Sequence, residues 1–189
     1  NPQWVHFGAG NIFRAFPAAL QQKLLNEGIE KTGIIVAEGY DYEIIKKAYR
    51  PQDDLSLLVT LKANGTIEKT VIGSLAESLT VDRHDAADWN RLKEIFASNT
   101  LQMVSFTITE KGYSITSPDG AFRADVKADF EAGPENADSY IGKLAALCYW
   151  RYTQGAAPLA LVSMDNCSHN GDKLFAAVDA YAKAWTENG

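Results

Sequence analysis

Apolar and polar positions alternate with two different periods along this chain, and the switches between them outline its elements. Trp4-Val5-His6-Phe7 is a short apolar stretch that runs straight into Gly8-Ala9-Gly10. In the run that starts at Asn11, apolar residues return every three or four positions (Ile12, Phe13, Phe16, Ala19, Leu20, Leu24), the spacing of one helix face, with Gly28 as its stop. Thr32-Gly33-Ile34-Ile35-Val36-Ala37 is then a β-branched run of the kind that forms a buried strand. Strand, helix, strand within about 30 residues is a β-α-β unit.

The pattern next departs from a plain repeat. Residues 44–49 read as a short helix, and 55–61 and 67–72 as strands separated by Ala63-Asn64-Gly65, a turn signal that predicts a β-hairpin. The α/β alternation then resumes. Residues 85–98 predict a helix built on Trp89, Leu92, Ile95 and Phe96, and 102–109 predict a strand. Residues 113–126 read as two short extended pieces around the turn Ser117-Pro118-Asp119-Gly120, and 131–137 as a loop. A helix over 139–153, a strand over 158–164 and a closing helix over 173–185 complete the chain. The expected fold is α/β: a Rossmann-like, mostly parallel sheet with helices on both faces and an inserted hairpin. Such sheets bind ligands at the carboxyl ends of their strands, which singles out four loops.

The first loop, Gly8-Ala9-Gly10-Asn11-Ile12-Phe13, carries two of the three glycines of a dinucleotide fingerprint, with Phe13 in the place of the third. One glycine permits a tight turn and the other lets backbone approach a pyrophosphate at the positive end of a helix. The second loop holds Glu38 and Asp41, either of which suits the adenosine ribose hydroxyls and repels a 2′-phosphate; the cofactor expected is NAD rather than NADP. The third runs from Thr107 through Thr109 and Glu110 to Tyr113, hydroxyls and a permissive glycine at a cofactor edge. The fourth, Ser163-Met164-Asp165-Asn166-Cys167-Ser168-His169-Asn170-Gly171, gathers polar groups directly after a buried strand; its Asn side chains have donors and acceptors for a substrate oxygen. Arg14, read as a cation near the start of a helix where it opposes the dipole, suggests a bound phosphate, a substrate carboxylate or an acidic partner.

Composition narrows the class of function. The 189 residues suffice for one domain, and a net charge of −6 argues against a partner with a nucleic-acid backbone. No run approaches the ~20 apolar residues of a membrane helix. The start has neither an initiator Met nor the features of a signal peptide. Cys148 and Cys167 form no CxxC pair and the three histidines are scattered, so no metal site is expected and the thiols read as reduced, in a cytoplasmic protein.

Three motifs in order, His6-Phe7-Gly8-Ala9-Gly10-Asn11-Ile12-Phe13-Arg14-Ala15, Thr107-Ile108-Thr109-Glu110-Lys111-Gly112-Tyr113, and Ser163-Met164-Asp165-Asn166 with His169-Asn170-Gly171, resemble the mannitol dehydrogenase family of polyol-specific long-chain dehydrogenases. The resemblance covers nearly the whole chain. It implies that 1–189 is an N-terminal NAD(P)-binding Rossmann-like domain, and that a mainly helical C-terminal domain, expected but absent from this chain, is its partner. It also implies hydride transfer between NAD and a carbinol carbon of a sugar alcohol, keto sugar or hexuronate, with a lysine of that other domain as base. Asn166 then contacts the reacting oxygen as the catalytic group of this half; Gly8, Gly10, Asn11, Ile12, Phe13, Glu38 or Asp41, Thr109 and Glu110 face the cofactor; Arg14, His169 and Asn170 join Asn166 toward substrate. Lys111-Gly112 stands where the family often has Gly-Gly, and Ile12-Phe13-Arg14 where many members have Phe-His-Arg, which leaves the substrate open. A nucleotide-binding sensor module with no chemistry of its own is the alternative from another class. Aromatic residues over 144–152 and 181–185 are candidates for a face that a partner domain covers.

Overall fold

The computed structural model describes residues 1–187. In chain order the elements are β1 (Trp4–Phe7), α1 (Asn11–Ala15), α2 (Pro17–Asn26), β2 (Ile34–Glu38), α3 (Tyr42–Ile44), β3 (Ser56–Leu61), β4 (Ile67–Ile72), β5 (Leu75–Thr80), α4 (Ala86–Ala97), β6 (Met103–Phe106), α5 (Thr109–Gly112), α6 (Ala124–Ala132), α7 (Tyr140–Thr153), β7 (Ala160–Ser163) and α8 (Asn170–Glu187). After α3 the chain widens into a turn of i→i+5 type over Ile45–Tyr49 and tightens again over Arg50–Gln52. Five strands form one sheet in the order β5-β2-β1-β6-β7, with every neighbouring pair parallel. β3 and β4 form a separate antiparallel hairpin, closed at Lys62–Thr66 with Gly65 at φ +82°, as the Asn-Gly signal requires.

Alternation along the strands divides the core. Val5, Phe7, Ile35, Ala37, Val104 and Phe106 face one layer, where Leu92 and Phe96 of α4, Leu144 and Leu147 of α7, and Leu174 and Tyr181 of α8 pack against them. Ile34 and Val36 face the other layer, with Ala9, Phe13, Ala18, Ile45 and Tyr49. Helices thus cover both faces, and the order of strands reverses beside β1, so the loops after β1 and β6 meet at the crevice where ligands of such sheets bind.

Several sequence expectations need correction. The helix expected from residue 11 onward is two helices, because Pro17 has no N–H for the preceding turn and restarts the helix at its own first position. Arg14 therefore lies in the last turn of α1, where a cation complements the dipole, and the argument from dipole cost falls. β5, absent from the sequence reading, is one of the two edge strands, beside β2. Residues 113–126 hold one isolated bridge, Thr116 to Phe122, and α6 begins at Ala124 and takes in the start of the expected loop. α8 begins three residues earlier than expected, at Asn170. Of the aromatic residues suggested for a covered face, Tyr149 and Tyr152 are exposed and Tyr181 is fully buried. Among the described residues no helix is long and apolar enough to cross a membrane.

Candidate functional site

The carboxyl ends of β1, β2, β6 and β7 open on one edge of the sheet, and the glycine turn occupies its centre. Gly8 has φ +111°, and a Cβ there would lie 2.4 Å from the carbonyl oxygen of Thr107, so the turn closes against β6 only because the side chain is missing. Gly10 differs. Its φ is −73°, open to any residue, and a Cβ there would meet no atom within 4 Å. The protein's own packing does not require this glycine; its bare surface lies at the N-terminus of α1, where no side chain caps the free N–H groups. Such a cradle fits a pyrophosphate. Phe13, by contrast, is fully buried and stacks on His6 with ring centroids 4.4 Å apart.

The two acidic candidates after β2 have different surroundings. Glu38 is buried and its carboxylate accepts from the backbone N–H of Ala9 at 2.7 Å, of Tyr40 at 2.8 Å and of Asp41 at 3.3 Å. It ties the glycine turn to the β2 loop. Asp41 is exposed and its side chain does not cap α3. Between them, Gly39 leaves room for the ring of Tyr140, which a Cβ would strike at 2.3 Å, and Tyr40 stacks on Tyr140 at 4.5 Å. The Tyr49 hydroxyl donates to the Ala9 carbonyl at 2.7 Å, and burial pushes its pKa up.

The β6 and β7 loops are latched together by Asp165. Its carboxylate accepts from the N–H of Ile108 at 2.9 Å and of Thr109 at 3.0 Å, and also from the Tyr113 hydroxyl. Burial, then the Asp165 carboxylate, raise the Tyr113 pKa. Thr109 adopts φ +65°, a conformation costly for a β-branched residue and held here by that latch. Asn170 donates to the Asp165 carbonyl at 2.8 Å, and His169, at φ +54°, lies exposed beside Asp172. Asn166 is exposed between them. Glu110 pairs with Lys173 of α8, which lowers the carboxyl pKa and leaves neither group free.

Beneath the glycine turn a buried polar chain crosses the sheet. Trp4 Nε1 donates to Ser105 Oγ at 2.6 Å, His6 Nδ1 lies 2.7 Å from the same Oγ, and His6 Nε2 lies 2.8 Å from Thr107 Oγ1. Burial lowers the His6 pKa from 6.5 to about 3.

The structure therefore brings Gly8, Gly10, Asn11, Ile12, Glu38, Asp41, Thr109 and Asn166 to one edge of the sheet. Within this group Glu38 is engaged with backbone; Asn170, outside it, supports the β7 loop. Arg14 lies apart from the β7 loop: its guanidinium donates to Asn11 at 2.6 Å and lines a cleft of about 410 Å³ with Ala48 and residues 55–58 of the hairpin. Sequence reasoning quoted Asp165 without giving it a role; its signal was its position two residues past a buried strand, facing a second strand end. In the sequence His6 stands only as part of the apolar stretch of β1, and the three-dimensional pairing with Ser105 and Thr107 reveals its neighbours.

Comparison with known proteins identifies the family and the fold. The chain is 48% identical over 188 residues to a D-mannonate oxidoreductase of Thermotoga maritima, covering all of this chain and 35% of that protein. It is 32% identical to a polyol:NADP oxidoreductase of Gluconobacter oxydans, covering 97% of this chain and 38% of the relative. Among solved structures, a Pseudomonas fluorescens mannitol 2-dehydrogenase in ternary complex with NAD and D-mannitol superposes with a TM-score of 0.82 at 28% identity, over the whole of this chain and 38% of the other. The chain thus spans little more than a third of the length of these relatives. A family model described as the mannitol dehydrogenase Rossmann domain matches residues 2–188, and the chain belongs to that family.

Proposed function

We propose that this chain is the cofactor-binding half of an NAD-dependent oxidoreductase that acts on a sugar acid or sugar alcohol. The observation that carries the reading is the glycine turn at the switch point of the sheet: Gly8 closes it against Thr107, and Gly10 leaves bare backbone at the N-terminus of α1, where a pyrophosphate can approach. Backbone N–H groups from Gly10 to Phe13 hold the pyrophosphate, and the exposed Asp41 accepts from the adenosine ribose hydroxyls. Glu38 is the less suitable ribose partner, since three backbone donors already occupy it. When bound, NAD supplies a nicotinamide carbon that accepts hydride from a carbinol carbon. Asn166, free at the end of β7, donates to the substrate oxygen and holds it in line for that transfer. The family resemblance implies a lysine of the other domain as proton acceptor; Lys173 of this chain pairs with Glu110 at the surface. Thr109 positions the nicotinamide side through the Asp165 latch. The 48% identity to a D-mannonate oxidoreductase favours a hexonate, or the matching keto acid in the reverse direction, as substrate. A mainly helical second domain completes the site. The two free thiols fit a reducing, cytoplasmic setting.

Calorimetric titration with NAD and NADP tests this reading. NAD binds at least tenfold tighter than NADP, and Asp41→Ser removes most of that preference while Glu38→Gln lowers stability more than it changes selectivity. Equal affinity for both nucleotides in the wild-type chain would count against Asp41 as the ribose partner.

A further inference from the structure

The buried chain below the glycine turn has an order of donors that fixes its protons. Ser105 is fully buried, and Trp4 Nε1–H occupies one lone pair of its hydroxyl. The hydroxyl proton of Ser105 must then have an acceptor, and His6 Nδ1 at 2.7 Å is its only partner besides Trp4 among the described residues. Nδ1 is therefore unprotonated and His6 carries its proton on Nε2, from which it donates to Thr107 Oγ1 at 2.8 Å. The reverse tautomer would leave the Ser105 proton buried without an acceptor. Stacking of Phe13 on the imidazole at 4.4 Å holds the ring in this plane.

The consequence falls on Thr107. Its oxygen receives the His6 proton, so its own O–H is left to donate, and no described residue accepts from it. Thr107 is half-buried at the carboxyl end of β6, with Oγ1 3.1 Å from the point where a Gly8 side chain would begin. We propose that Thr107 is a dinucleotide-binding residue, donating its hydroxyl proton to a pyrophosphate or ribose oxygen beside the glycine turn, and that His6 is the positioning residue that turns the hydroxyl outward. The inference rests on the cofactor reading above. It assigns to a strand-end hydroxyl and a neutral buried histidine a role in ligand recognition that sheet packing alone does not require.

Two measurements on the same chain separate the possible failures. First, ¹⁵N-detected NMR of the nucleotide-free chain reports the His6 tautomer. Protonated Nε2 and unprotonated Nδ1 are expected; the opposite tautomer would overturn the proposed orientation whatever the chain binds. Second, NAD affinity is measured by calorimetry for wild type, Thr107→Val, Thr107→Ser, His6→Phe and the His6→Phe/Thr107→Val double variant. Thr107→Val is expected to weaken binding about tenfold and Thr107→Ser less than about twofold, since serine retains the donor. His6→Phe keeps the ring stack, is expected to weaken binding similarly, and to add nothing in the double variant. If wild type binds NAD and a folded Thr107→Val binds it equally well, the inference is wrong and the cofactor reading stands. Additive losses would remove His6 as the positioning residue. Wild-type protein that binds no NAD would overturn the cofactor reading and, with it, the role of Thr107 as a nucleotide donor.

Discussion

At the scale of single residues, two glycines two positions apart answer to different forces. Gly8→Ala places a methyl group 2.4 Å from the Thr107 carbonyl at a φ of +111°, so the expected loss of stability is about 2–4 kcal/mol, to be checked by urea unfolding. Gly10→Ala meets open space at an ordinary φ and leaves stability within about 1 kcal/mol, yet lowers NAD affinity at least tenfold. A Gly10→Ala chain that unfolds as easily as Gly8→Ala would show that Gly10 too is a packing glycine. His6 makes a separate prediction. Its pKa is about 3 when folded and 6.5 when exposed, so the unfolded chain takes up its proton first as the pH falls. The stabilisation from the neutral imidazole is complete above pH 6.5 and is lost between 6.5 and about 3, at roughly 1.4 kcal/mol per pH unit at most. Urea midpoints from pH 7 to pH 5 should fall less steeply for His6→Phe than for wild type, and identical slopes would mean that His6 titrates freely.

At the scale of elements, the latch between the β6 and β7 loops is the part most open to test. Asp165→Ala leaves the N–H groups of Ile108 and Thr109 without their acceptor, removes one of the two partners of the Tyr113 hydroxyl (Ser163 Oγ is the other), and frees Thr109 from its positive φ. A loss of about 2–4 kcal/mol follows, together with faster amide exchange confined to 107–113. Unchanged exchange there would show that the loop holds itself. Elements were legible in the sequence where one physical signal dominated. β-branched runs identified β2, Asn-Gly placed the hairpin, and the spacing of Trp89, Leu92 and Phe96 gave α4. β5 was not legible because Leu75-Ala76-Glu77-Ser78-Leu79-Thr80 is polar for a strand; two of its polar side chains find partners on α4, Thr80 with Asp88 and Glu77 with Arg91. α6 had a readable signal in Val126 and Phe130 one helical turn apart, behind the acidic first-turn residue Asp125. The turn residues Ser117 to Gly120 and the bridge from Thr116 to Phe122 immediately precede it, so its start carries an extended-turn signal. The break at Pro17 was visible as a proline yet hidden by an apolar period that continues across it.

At the scale of the whole molecule, topology turns dispersed motifs into one edge. Four loops separated by up to about 160 residues of sequence meet because parallel strands align their carboxyl ends and the strand order reverses beside β1. The pattern of strands and helices singled out these loops, but it could not show that Glu38 is engaged by backbone while Asp41 is exposed, since both are acidic residues after the same strand. Nor could it show that Arg14 lies against the hairpin, because the direction of α1 depends on the Pro17 break. The described chain has a second concavity, a groove of about 1090 Å³ between residues 113–122 and α8, lined by Phe122 and Phe175. Its presence means that concavity alone does not choose where a dinucleotide sits. The most direct test of the central claim is therefore a map of where NAD binds: ¹⁵N amide shifts of the labelled chain followed through a titration with NAD. The account predicts saturable shifts concentrated at residues 8–13, 38–41 and 107–109, with the α8 groove unaffected. Shifts centred on the α8 groove, or no saturable shift at the glycine turn, would contradict it.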